Sequence, residues 1–469
     1  MLLFSFLCLL IGVFVFKKLW IGAFCAVLVL LIPQLFLASN PYPTYYLLLN
    51  TLIIWTELIL LIFGAYLFYF TLSFHQHFDS FTANVSTLNS RIVLAIILCF
   101  FIGGFMEGIA GFGIPALLIA PLMLNAGFKP ITAIVLPLAS NTTAVLFGAL
   151  GTPLKIGLNI HQINEAVLKT LLINALPALF VPFMLIYLLS QTEGLKIAWS
   201  KEWKILLGAG ICFYLPFVLA GLLSIEFPSV AAGIIGLMLF LLVFVPSSEK
   251  IAYRIWWQTF LPYLFFILLL LIVKLIFQNH SFRLTTYTKP VSFFQPGLVF
   301  IIATFGVLFY FNQSSFGKQF FNLAKVSLHK IGFPALSIFL LICFSQLSAQ
   351  MLSENISNFT SKLNTSWQII VQPLIGICGS FITGSATMSN LLFAESLNAI
   401  NSTQLGLLTA LLHTGSAIGN AISLQNIILV KTVIPDNISE RKILKFNLPV
   451  VGLYILLVLL SVLIIVNFT

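Results

Sequence analysis

Long apolar runs separated by short polar connections fill the chain. Runs near the ~20 residues that cross a bilayer as a helix fall at roughly 1–16, 19–38, 47–70, 131–158, 166–190, 204–224, 229–246, 257–277, 291–311, 332–352, 404–430 and 447–468, which predicts about 12 transmembrane helices. Two further apolar regions, 92–124 and 367–400, are interrupted at their centres by small and polar residues, GGFMEGIAGFGIP (103–115) and GSFITGSATMSN (379–390). Each is too broken for one helix and too short for two. A re-entrant hairpin fits both, because irregular backbone at membrane depth is tolerated where protein or a water-filled cavity covers it.

Composition agrees with that pattern. Of 469 residues, 60% are hydrophobic and only 7% charged, too few charges to coat a soluble surface. The net charge of +10 comes from basic residues standing singly in short loops, which fits a lipid bilayer as partner and argues against nucleic acid. With the first hairpin entering and leaving on the cytoplasmic side, between Arg91 and Lys129, sixteen of the 22 basic residues fall inside. That places both termini outside, and the second hairpin then enters from the outside. The opening MLLFSFLCLL has no basic residue ahead of its apolar stretch and no small-residue cleavage site before Lys17 and Lys18, so it is expected to stay as a helix. Six cysteines sit inside apolar runs without CxxC spacing and read as inert small hydrophobes.

Opposite insertion of two similar hairpins implies an internal inverted repeat. A weak echo supports it: Phe105-Met106-Glu107-Gly108 parallels Phe381-Ile382-Thr383-Gly384, and Ser140-Asn141-Thr142 parallels Thr414-Gly415-Ser416, at offsets of 276 and 274. The expected organisation is a first repeat over 1–200, with its hairpin at 92–124 and a broken helix at 131–158. Connecting helices follow at 201–256, and a second inverted repeat at 257–469 has its hairpin at 367–400 and a broken helix at 404–430. The fold class is thus all-α polytopic membrane protein. The helix breaks are FGALGTP (147–153) and SAIGNAISLQN (416–426), and paired interrupted segments in two halves are the best sequence pointer to a transporter's substrate site.

Each break restarts a helix, and each restart carries capping residues: Pro115 after Gly113, Thr152 before Pro153, Ser389 and Asn390 before Leu391, and Ser423 before Leu424. Four helix N-termini with unpaired N–H groups would make a site for a small carboxylate without lysine or arginine. Close helix packing through small residues explains any one break equally well; four breaks in mirrored pairs favour the site. Glu107 beside the first break is a candidate proton carrier, because a buried intramembrane carboxyl is costly and usually functional. A structural cap is its alternative. His413 is a candidate proton or hydroxyl partner, or else a satisfied core histidine. Lys155 is the only basic residue close enough to compete for an anion. Glu57 and Lys274 read as snorkelling or helix–helix hydrogen bonding, and Glu395 as interfacial. His75, His77 and Asp79 alternate in HQHFDS, but a solvated loop outweighs a metal site there. No GxSxG, Walker A or GxGxxG signature occurs, so an enzyme is unsupported and no cofactor is expected.

The stretches EGIAGFGIPALLIAPLML, SNTTAVLFGALGTPL, FITGSATMSNLLF and AISLQNI, in that order and spacing, resemble the lactate permease family of bacterial carboxylate transporters. The resemblance implies proton-coupled uptake of L-lactate, D-lactate or glycolate at the bacterial cytoplasmic membrane, with no cofactor beyond the coupling ion. Carried over by position, the substrate site would involve Gly108, Gly111, Gly113, Ser140, Asn141, Thr142, Gly151, Thr152, Gly384, Ser385, Ser389, Asn390, Ser423 and Gln425, with Glu107 and His413 in proton coupling. The family's second hairpin reads GSDTSSN and its last break GKMISPQS, so Ala386, Asn420 and Leu424 depart from it. A sodium-coupled or otherwise altered carboxylate transporter, and a transporter-derived membrane sensor, stay open as alternatives, as does self-association.

Overall fold

Glycine, proline and serine stand at the predicted breaks, yet proline also lies inside helices that continue, as at Pro137, Pro182, Pro216, Pro373 and Pro449, so the breaks need the local run of small and capping residues and not a proline alone. The computed structural model describes residues 2–16, 18–36, 44–75, 90–111, 113–158, 163–245, 253–286, 288–311, 316–360, 362–397, 404–434, 436 and 438–468. Among these, seven helices are long and apolar enough to cross a membrane, or up to nine if each of two bent pairs is one span. Five apolar helices of 10–17 residues lie below that length, and several of the twelve expected spans fall among them. The chain is a helical, multi-pass membrane protein.

It divides into two compact units, one built from residues 3–87 and 251–347, the other from 88–250 and 348–469. Each unit therefore takes one segment from each of the two expected repeats, the first unit their leading parts and the second their trailing parts. In the first unit, Thr44–Phe74 and Pro296–Phe311 cross closely enough that a methyl at Gly64 would come within 2.5 Å of the Gly297 carbonyl oxygen. Phe68 meets Tyr263, Phe266 and Phe300 around that crossing, and the rings of Phe266 and Phe300 stack at 4.0 Å. Glu57 accepts a hydrogen bond from Gln295 Nε2 at 3.2 Å, just ahead of Pro296–Phe311. The one sheet among the described residues is a two-residue antiparallel pair, Ser281–Phe282 with Val291–Ser292.

The second unit contains both hairpins and both broken helices. The first hairpin rises through Arg91–Ala95, a π-helical stretch Ile96–Ile102 and Gly103–Ile109, and returns as Ile114–Asn125. Cys99 Sγ lies 3.6 Å from Met123 Sδ across the arms, and Arg91 donates to the Gly127 carbonyl at 3.3 Å, so the two ends of the hairpin sit together. Glu193 closes that end. It accepts from Arg91 Nη1 at 3.0 Å, from the Lys129 backbone N–H at 2.8 Å and from the Thr132 hydroxyl. The first arm is backed by Pro228–Phe244, and both contacts rest on glycine: a methyl on Gly108 would meet Val230 N at 2.6 Å, and one on Gly233 would meet Phe105 Cβ at 2.4 Å.

Thr365–Thr383 and Ala386–Phe393 form the second hairpin, with Ser389 Oγ of the returning arm donating to the Gly376 carbonyl at 2.8 Å. The broken helices are Pro130–Val145 with Gly148–Lys155, bent by 54°, and Leu405–Gly419 with Leu424–Lys431, joined by a 3-10 turn at Asn420–Ile422. One expected span, 166–190, is instead two helices, Ile163–Ile173 and Ala175–Glu193, parted at Asn174. His77, Asp79 and the side chain of Glu395 lie outside the described residues.

Candidate functional site

All four breaks meet in the second unit. At the tip of the first hairpin, Gly111 and Gly113 take positive φ (+58° and +78°), which L side chains rarely adopt. A methyl on Gly111 would reach Ala149 of the first broken helix at 2.8 Å, and one on Gly113 would reach Asn426 Oδ1 of the second at 3.0 Å. Gly384 at the tip of the second hairpin (φ +73°) faces Gln425 in the same way at 3.0 Å. Asn390 Nδ2 on the returning arm donates to the Pro153 carbonyl at 2.9 Å, tying the second hairpin to the first broken helix.

Three of the four restarts have a cap, and two of the four differ from expectation. Gly113 caps the first hairpin's return with Pro115 following, and Ser423 caps Leu424–Lys431, its hydroxyl oxygen accepting from Asn426 N at 3.4 Å. The second hairpin restarts at Ser385, whose oxygen accepts from Met388 N at 3.4 Å. Ser389 and Asn390 are therefore one turn inside the helix. Gly384 supplies the left-handed stop that lets Ser385 begin a new helix at once. At the first broken helix, Thr152 does not cap: Ala149, Leu150 and Gly151 all take left-handed φ (+45°, +57° and +76°), and the Thr152 hydroxyl donates back to the Ala149 carbonyl.

Glu107 is 3% exposed and its Oε2 accepts from Asn141 Nδ2 at 3.1 Å. Its other oxygen lies where a methyl on Gly148 would come within 2.6 Å. The carboxyl is thus wedged between the first arm, Asn141 and the break. Ser140 and Thr142 flank Asn141, yet their hydroxyls donate into their own helix, to Pro137 O at 3.0 Å and Ala139 O at 3.2 Å. Ser389 Oγ shares a 2.8 Å contact with Ser416 Oγ in addition to Gly376 O.

His413 is fully buried with both ring nitrogens engaged: Nδ1 at 2.9 Å from Asn390 Nδ2, Nε2 at 2.9 Å from the Leu146 carbonyl. Asn390 Nδ2 can only donate, so Nδ1 accepts and Nε2 carries the proton to Leu146. This is the neutral tautomer acting as a cross-link between the two broken helices. Gly108, in the first hairpin beside Glu107, faces Val230 and lets the neighbouring helix pack.

Lys155 is not available to compete for an anion, because it pairs with Glu226, whose other oxygen accepts from the Ser224 hydroxyl. In the second hairpin and the second broken helix, the buried oxygens Asn390 Oδ1, Asn420 Oδ1, Gln425 Oε1 and Gln372 Oε1 and the Ser380 and Thr409 hydroxyls lack a partner, and Thr170 and Asn447 carry such oxygens on other helices of the unit. Several residues of this region escaped sequence reasoning: Gly148 against Glu107, Asn426 against Gly113, Glu226 on Lys155, and the helix-parting Asn174. A lone glycine or asparagine in an apolar run gives no such signal.

Comparison with known proteins gives this arrangement its relatives. The L-lactate permease of Streptococcus iniae is 27% identical over 334 residues, covering 65% of this chain and 69% of that protein. That of Bacillus subtilis (strain 168) is 25% identical over 442 residues, covering 79% and 78%, and the glycolate permease of Escherichia coli (strain K12) is 29% identical over 205 residues, covering 42% and 36%. The solved structure of Neisseria gonorrhoeae MtrF, of a class of antimetabolite efflux pumps, aligns at a TM-score of 0.46 and 11% identity over 93% of this chain and 92% of that one. The L-lactate permease family itself matches residues 2–256 and 241–469. Hairpins, breaks and connecting helices all fall within those limits, and the chain belongs to the L-lactate permease family.

Proposed function

We propose that the protein is a secondary transporter that takes up a small 2-hydroxy monocarboxylate, L-lactate, D-lactate or glycolate, together with a proton across the bacterial cytoplasmic membrane. The carrying observation is the meeting of four helix breaks in one unit, with a buried carboxyl, Glu107, against the first broken helix and Lys155 already paired to Glu226. Helix starts offer N–H groups without intrahelical partners and a partial positive charge. An anion can therefore be held by the Ser385 and Ser423 starts and the Gly113 tip without a point charge. A 2-hydroxy acid also brings a hydroxyl donor, which suits the acceptor oxygens of Asn390 and Gln425 that lack one. Glu107 is the proton carrier in this reading, and His413 a neutral positioning residue. The relatives named as L-lactate and glycolate permeases support the substrate class.

The same unpartnered oxygens favour a second reading, in which a sodium ion replaces the proton, since neutral oxygens are ligands for a hard cation. Uptake of labelled L-lactate and glycolate into proteoliposomes, driven separately by a pH gradient and by a sodium gradient, tests both. Accumulation with the pH gradient alone is expected. Accumulation only with sodium would replace the coupling ion, and none with either would sink the transporter reading.

A further inference from the structure

Away from the breaks, the second unit carries an open apolar groove of about 300 Å³. Its walls are Phe180, Phe183 and Tyr187 of Ala175–Glu193, Trp199 at the start of the next helix, and Pro449 and Leu453 of Glu440–Phe468. Tyrosine and tryptophan mark the level where a membrane meets water, so the groove opens at that level. An apolar groove alone says nothing about its occupant; the charge around this one does.

Lys196 stands three residues before Trp199, and Lys201 and Lys204 follow it, Lys204 lying 5.8 Å above the Trp203 ring. On the last helix, Lys445, Pro449 and Leu453 recur every four residues, so one face presents a cation one turn before the groove. Arg441 and Lys442 lie a further turn out. All six cations are exposed, and none is in an ion pair among the described residues. Nearby acids are engaged elsewhere, Glu193 by Arg91 and Glu440 by Lys431. In the stretches 194–204 and 441–453 the sequence has one acid, Glu202.

We propose that this groove binds an anionic phospholipid: an acyl chain lies along Phe180, Phe183 and Leu453, and the phosphate headgroup sits among Lys196, Lys201, Arg441, Lys442 and Lys445. Basic clusters between helices on the cytoplasmic side suit such headgroups, and long basic side chains lay their stems on apolar surface while the charge stays at the headgroup. A neutral lipid would leave the six cations without counter-charge.

Native mass spectrometry of the full chain, in detergent micelles doped with phosphatidylglycerol or with phosphatidylcholine, tests this. Phosphatidylglycerol should be retained at least about fivefold more, the effect of a single cation near an anionic surface. K442Q/K445Q should bring the ratio towards one, and K325Q/K330Q, in the other unit, should leave it unchanged. L453W fills the groove with the basic rim intact and should lower retention of both lipids. Equal retention by the unsubstituted protein overturns the proposal, and that comparison stands even if a variant fails to fold. A ratio left unchanged by K442Q/K445Q overturns it too. So does L453W if it shifts the protein between monomer and dimer with lipid retention unchanged, which would give the groove to a second copy of the chain.

Discussion

The two hairpin and broken-helix pairs of the second unit follow one order of elements with different chemistry. In the first pair the chain turns by backbone: Gly111, Gly113, Ala149, Leu150 and Gly151 all have positive φ, and no hydroxyl caps the restarts. In the second pair only Gly384 does so, and serines 385 and 423 cap both restarts. Left-handed backbone costs a non-glycine residue about 1–2 kcal/mol, so Ala149 and Leu150 store strain beside the one carboxyl of the site. Such strain persists only where packing over-determines it. The second pair is relaxed and offers neutral oxygens instead. A shared plan thus divides its labour, the acid and the strain on one side and hydroxyl and amide groups on the other.

The largest test of this comparison is all-or-none. If the pairs are inverted copies, a cysteine at Asn125 labels only from the cytoplasm and one at Lys362 only from outside; labelling of both from one side would remove the inversion. Next, Glu107→Gln should abolish lactate accumulation under a pH gradient, a loss of at least about 100-fold for a general acid–base group, while counterflow, which needs no net proton movement, survives. Unchanged accumulation would take the proton away from the first pair.

Smaller effects separate the tips. Gly151→Ala adds a methyl 2.4 Å from the Ile225 carbonyl oxygen, whereas Gly384→Ala adds one 3.0 Å from the Gln425 side chain, which can move. Both carry the left-handed cost of about 1–2 kcal/mol, and Gly151→Ala adds overpacking of about 1–3 kcal/mol. Melting in detergent should rank Gly151→Ala clearly below Gly384→Ala, and equal melting would mean that the first break is no more tightly held than the second. Last, Lys155→Gln should leave lactate affinity within about threefold, less than one lost charge-assisted hydrogen bond, but lower the melting point by stranding Glu226. Adding Glu226→Gln should restore part of it. Loss of binding in Lys155→Gln with folding intact would mean that a point charge holds the anion.

The positions of the breaks were legible because glycine, proline and serine interrupt a helix by local geometry, and local geometry is written in adjacent residues. Gly113–Pro115 and Ser423 could be read that way. The cap at Ser385 was misplaced to Ser389 and Asn390 because several hydroxyl and amide residues crowd 385–390, and only the left-handed Gly384 selects among them. Partners distant in sequence were not legible at all. Lys155 with Glu226, Asn390 with Pro153, and His413 with Leu146 are chosen by how helices pack, which hydropathy does not encode. The span expected at 166–190 hid its break for the same reason. Asn174 looks like a tolerated polar residue until its partners are known.

Those partners bear on movement. Thr143 Oγ1 donates to Tyr454 OH at 3.0 Å, Tyr454 OH donates to Asn174 Oδ1 at 3.0 Å, and Asn174 Nδ2 donates to Thr414 Oγ1 at 2.9 Å. All four groups are fully buried, so opening any link strands a polar group at a cost of about 1–3 kcal/mol. The chain of bonds runs from the first broken helix, through the last helix and then Asn174 of the parted helix, to the second broken helix. Sliding one broken helix past the other would have to open it. In the proposed transport cycle these bonds favour a step that carries both broken helices together, linked through Asn174.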